Sequence, residues 1–155
     1  EDKIVCKAQQ LWNFLWEQIN NNLGSLSESS TEQKELFMRM LELIPALPSL
    51  DRPTEGKIYQ LLDCADNISW GMSNLLRNLI YLVEKNEYSE VEILSLARLY
   101  CKIIQKINYF TTPEQHHKII KLIKKYLNNP EISEQFQLIK IIYETRKWNQ
   151  YLDWF

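Results

Sequence analysis

Residues 89–107 read SEVEILSLARLYCKIIQKI, and this stretch decides the fold. Ile93, Leu96, Tyr100, Ile103, Ile104 and Ile107 recur at three- and four-residue steps, the spacing that gathers side chains on one face of an α-helix. Ser89 and Glu92 stand where a serine caps a helix start and the glutamate three residues on returns the bond. Downstream the device repeats. Thr112-Pro113-Glu114-Gln115 reads as N-cap, first-turn proline and box partner ahead of Ile119, Ile120, Ile123 and Leu127, and Asn129-Pro130-Glu131 opens another helix.

Upstream, Val5, Ala8, Trp12, Leu15, Trp16 and Ile19 form the apolar face of a first helix that fades at Asn20, Asn21, Asn22 and Gly24. A serine-rich connection over 25–30 follows, with Ser29/Glu32 and Ser30/Gln33 as capping pairs for a second helix from about Thr31 to Ile44. Pro45, Pro48 and Pro53 make 45–53 the least helical connection in the chain. From Thr54, Ile58, Leu61, Leu62 and Ala65 continue the helical period. Met72, Leu75, Leu76, Leu79, Ile80 and Val83 do so again, beyond a break or bend expected between Asn67 and Gly71.

Only three glycines and five prolines interrupt the 155 residues, too few turn residues for a strand-rich domain. The expectation is one all-α domain over 1–155 with about seven helices in antiparallel pairs. Pairs over 2–44, 54–86 and 89–128 have the length and rhythm of helical repeats, so the chain resembles the HEAT/armadillo family in those two respects. That resemblance implies a HEAT-like stack; an irregular helical bundle obeys the same local rules. The absence of an initiator methionine reads as a domain excised from a longer protein.

Cys6, Cys64 and Cys101 are odd in number and widely spaced, which argues against a disulfide framework or a zinc site and for a reducing, intracellular setting in cytoplasm or nucleus. Asn67-Ile68-Ser69 matches a glycosylation sequon, a pattern of low specificity. No apolar run reaches the length of a membrane span. His116 and His117 diverge by about 100 degrees on a helix and read as surface residues. Gly24, Gly56 and Gly71 are isolated, so no phosphate loop is present, and neither cofactor nor metal is expected. No nucleophile is marked as activated, and an enzyme is not expected.

Charge and aromatics point to surfaces. The net charge of −2 averages an acidic half, 1–77, and a basic half, 78–155. Arg98, Lys102, Lys106, Lys118, Lys121, Lys124 and Lys125 face a single acid, Glu114, within 98–125, as two lysine-rich stripes on successive helices. Merged, they would form an anion-binding patch for nucleic acid or an anionic surface. Trp148, Tyr151, Leu152 and Phe155 align on one helical face with Trp154 beside it, a segment that either docks on the domain or anchors a partner. The leading expectation is a non-enzymatic scaffold or adaptor domain that binds another protein, within a complex, through a helical groove or this aromatic end.

Overall fold

A computed structural model describes residues 2–20, 31–63, 69–85 and 89–155, with the side chains of 2–6, 69–70 and 85 excepted. These residues form seven α-helices: α1 (Asp2–Asn20), α2 (Thr31–Leu43), α3 (Arg52–Asp63), α4 (Ser69–Lys85), α5 (Glu90–Lys106), α6 (Pro113–Lys124) and α7 (Pro130–Thr145). Short 3-10 helices cover Ile44–Ala46 and Asn149–Trp154, and no strand occurs among the described residues. The protein is all-α. The serine-rich connection over 25–30, the Asn67 sequon, and the side chains of Cys6 and Cys64 lie outside the described residues.

Local rules account for most helix starts. Ser89 caps α5, its hydroxyl oxygen accepting the Glu92 N–H at 3.2 Å. The glutamate does not return the bond to the Ser89 backbone: its carboxylate accepts the Ser89 hydroxyl and the Leu50 N–H, both at 3.4 Å, and so ties the proline-rich connection to α5. The Asn129 side chain caps α7 by accepting from Glu131 N and Ile132 N, while its own amide donates to Glu90 at the start of α5.

Two starts differ from expectation. Pro53 does not interrupt the chain but sits in the first turn of α3, where its missing N–H is harmless, and Asp51 Oδ1 caps that turn by accepting the Thr54 N–H at 2.9 Å. Thr112 precedes α6 in the left-handed region, φ 49°, and its hydroxyl donates to the Thr111 carbonyl instead of capping. α4 opens at Ser69, inside the interval from Asn67 to Gly71 where a break was expected, so Gly71 falls in its first turn. A Cβ there would come within 3.3 Å of Met38 Sδ, so the glycine lets α4 approach α2 closely.

Packing among the described residues links alternate helices most closely. α1 packs on α2, as a first hairpin should, but α3 packs chiefly on α5, α5 on α7, α2 on α4, and α4 on α6. One continuous buried cluster runs through all of them, from Trp12 and Phe37 past Leu76 and Ile104 to Ile139 and Tyr143. The two tryptophans of α1 face the same way. Trp12 donates to the Met40 carbonyl at 3.1 Å, Trp16 to the Lys57 carbonyl at 3.4 Å, and the Lys57 ammonium lies over both rings. Each ring thus buries its apolar body while satisfying its one donor.

Candidate functional site

The basic stripes are drawn apart. On α5, Arg98, Lys102 and Lys106 all turn toward α3. Arg98 grips Glu55 through Nε at 2.8 Å and a terminal guanidinium nitrogen at 3.1 Å. Lys102 donates to the Asp63 carboxylate at 2.6 Å and lies over the Tyr59 ring, while Lys106 reaches the Asp63 backbone carbonyl at 3.5 Å. The bond and charge of Lys102 hold the Asp63 carboxyl below its ordinary range, with Lys106 adding to the effect. On α6, Lys118 pairs with Glu84 of α4 and Lys124 donates to the Trp154 carbonyl. Lys121 and Lys125 are exposed. Five of the seven cations are therefore drawn to three different elements, α3, α4 and the C-terminal turn, while Lys121 and Lys125 face solvent.

What the α5 stripe does line is a groove crossing three helices. Tyr59 of α3 forms one wall and Leu138 of α7 the other, with Gln135 beside it, and α5 runs between them carrying Arg98, Cys101, Lys102 and Gln105. Tyr59 and Leu138 are 41% and 44% exposed, large apolar groups left facing water. Cys101 is a free, almost buried thiol that burial pushes up to about 11, which keeps it protonated and poorly nucleophilic at neutral pH. At one end Arg146 donates to the carbonyls of Ile104 and Gln105 and closes the last turn of α5.

The aromatic end is bound to the domain. Trp148, Tyr151, Leu152, Trp154 and Phe155 are half-buried and pack on the core, held by a 3-10 turn and not by the α-helical face the sequence suggested. Phe110 is the hub: its ring stacks on Tyr151 at 4.2 Å and meets Trp148 edge-on at 4.9 Å. Phe155 contacts Phe136 and Tyr143, and Trp154 stacks on His117 at 4.7 Å. Lys147, at φ 59°, turns the chain back from α7 to make this cap possible.

Beneath the cap lies the chemistry that sequence reasoning missed. His116 is not a surface residue but completely buried, and its Nδ1 sits 2.6 Å from the Tyr100 hydroxyl. Tyr100 in turn bonds the Tyr143 hydroxyl at 2.5 Å, so α5, α6 and α7 share one buried polar chain. Phe110 stacks on the imidazole at 4.2 Å. Burial pulls His116 down to about 4, with a partial opposing pull from the Thr111 carbonyl, and burial raises both tyrosines. The histidine is neutral at physiological pH, and its Nε2 has no hydrogen-bond partner among the described residues. Its position three and four residues before Ile119 and Ile120 was the signal that it faces inward.

Among the described residues, no group of three histidine, cysteine or acidic side chains is placed to hold a metal ion, and no helix is long and apolar enough to cross a membrane. No family model matches the chain, and no curated protein or solved structure is significantly similar to it.

Proposed function

We propose that this protein is a non-enzymatic interaction domain, a scaffold or adaptor within a larger complex, that binds another protein in the groove across α3, α5 and α7. The observation that carries the proposal is the groove itself: exposed Tyr59 and Leu138 flank cationic α5 on a surface spanning three helices. Large apolar side chains beside fixed polar groups are the composition of protein-binding surfaces. The groups best suited to acid–base work support the same reading, because His116, Tyr100 and Tyr143 are sealed in the core beneath the aromatic cap. That cap takes part in holding the fold, which favours the groove over the aromatic end as the docking surface. The packing of alternate helices, α3 on α5 on α7 beside α2 on α4 on α6, lends support to a HEAT-like array, while α3 and α4 do not pack as a hairpin among the described residues. The free Cys101 thiol fits an intracellular setting.

The test is affinity capture from the source cells with the wild type, a groove variant carrying Tyr59→Ser and Leu138→Ser, and a control carrying Lys121→Glu and Lys125→Glu on α6. A partner retained by the control and lost by the folded groove variant supports the proposal. A partner lost by the control and kept by the groove variant moves the interface to α6 and overturns it.

A further inference from the structure

We infer that the occupant of this groove is an acidic segment of a partner protein, one bulky apolar side chain seated between Tyr59 and Leu138 and a neighbouring carboxylate held by Lys102 and Lys106; the inference rests on the interaction-domain reading and adds the chemistry of its ligand. The charge count on the α3 side of the groove supplies the argument. Among the described residues, Arg98, Lys102 and Lys106 stand on successive turns of α5 against two carboxylates of α3, Glu55 and Asp63. Glu55 is committed: it is almost fully buried and accepts from Arg98, from the Ser95 hydroxyl at 2.8 Å and from Arg52 at 3.3 Å. Asp63 is exposed and its carboxylate bonds Lys102, while Lys106 bonds the Asp63 backbone oxygen and reaches the carboxylate only through its charge. One ammonium group is therefore left without a bonded carboxylate among the described residues.

Lys106 stands one helical turn from Lys102, at the edge of the groove and outside the residues that line it. The Lys102 ammonium lies 4.8 Å from the Tyr59 ring centre, so a ligand whose apolar side chain reaches Tyr59 brings its neighbouring residue beside Lys102 and Lys106. A carboxylate there completes the charge balance in a partly desolvated groove, where an ion pair counts for more than on open surface. The facing wall adds no opposing demand, because α7 lines the groove with the neutral Gln135 and Leu138. Nucleic acid fits less well. The one guanidinium in the groove, the fork best matched to phosphate, is taken up by Glu55, and the remaining cations of α6 point elsewhere.

The experiment follows backbone amide resonances of the full chain during titration with a panel of dodecapeptides, each carrying one Leu or Phe between Asp and Glu residues. Matched peptides carry Asn and Gln in place of the acids, or Ser in place of the anchor, and a single-stranded oligothymidine of equal charge completes the set. The acidic anchored peptides are expected to shift Tyr59, Lys102 and Leu138 and to bind about tenfold more tightly than either matched peptide. Lys106→Glu, whose ammonium bonds no carboxylate among the described residues, should weaken them about tenfold, and Lys106→Gln, which adds no charge beside Asp63, should weaken them less while leaving the melting temperature nearly unchanged. Equal binding of the neutral anchored peptides at the groove overturns the acidic occupant and leaves the groove reading standing. Failure of every peptide to shift the groove overturns both, as does preferential binding of the oligothymidine or of any probe at Lys121 and Lys125.

Discussion

The Nδ1 of His116 and the hydroxyl of Tyr100 lie 2.6 Å apart in the core, joining α6 to α5 through a bond that no solvent reaches. A neutral imidazole satisfies this geometry. An imidazolium fits less well, because it adds a charge to a buried site where the Thr111 carbonyl offsets only part of the cost of desolvation.

This makes the fold acid-sensitive at one identifiable place. The folded state holds His116 near 4 while the unfolded chain returns it to the ordinary value of 6.5, so unfolding takes up a proton throughout that interval. The native state keeps its full His116 contribution above pH 6.5 and loses it progressively as pH falls toward 4. The expected loss is about 2 kcal/mol at pH 5 and about 3 kcal/mol below pH 4. Urea unfolding of the wild type and His116→Gln across that range checks it: the wild-type stability should decline more steeply, and parallel curves would place the titration elsewhere.

The order of the polar chain predicts unequal costs for its two tyrosines. Tyr100→Phe removes the central hydroxyl and strands both His116 Nδ1 and the Tyr143 hydroxyl, two buried polar groups at once. Tyr143→Phe removes only an end and leaves the Tyr100–His116 bond in place. Tyr100→Phe should cost about 3 kcal/mol and Tyr143→Phe about 1 kcal/mol. Denaturant midpoints at neutral pH measure both, and a Tyr143→Phe cost equal to or above that of Tyr100→Phe would contradict the linear arrangement.

How far the sequence reaches is visible in these same residues. Periodicity made the all-α fold legible, and it placed His116 on the face of Ile119, Ile120 and Ile123, although its residue type favoured a surface reading. Glu55 is the same case: three residues before Ile58 and seven before Leu62, it lies on the buried face of α3. What periodicity does not carry is the identity of the facing helix. The α5 stripe of Arg98, Lys102 and Lys106 was plain, but that it would meet α3 and not α6 depended on Glu55 and Asp63 arriving opposite it. Tyr59 and Leu138 gave little signal, since a single exposed apolar residue off the main stripe is ordinary on any helix and gains meaning only beside the other.

The aromatic end offers a direct test of its role as a cap. Deleting 148–155 uncovers Phe110, Phe136 and Tyr143 and removes the Lys124 bond to the Trp154 carbonyl. A loss of about 3 kcal/mol or more is expected, with new binding of a hydrophobic dye to the remaining folded fraction. Thermal unfolding that is unchanged by the deletion would show the segment to be a free appendage.

The last prediction concerns the ion pair that positions the groove. Glu55 is buried on α3 and accepts from Ser95 and Arg98 of α5, so it fixes the distance between two groove helices as well as neutralising the guanidinium. Glu55→Ala leaves the Arg98 charge in a half-buried site with no carboxylate and Ser95 without its acceptor. The expected cost is about 3 kcal/mol, because removing one member of a buried pair exposes the desolvation penalty of the other. Arg98→Ala alone should cost less, since Ser95 and Arg52 still serve the Glu55 carboxylate. Replacing both, Glu55→Leu with Arg98→Met, should recover much of the loss by filling the same space with apolar atoms. Denaturant unfolding of the three variants decides it: strictly additive costs would mean that the two side chains act independently and that the pair does not set the spacing of α3 and α5.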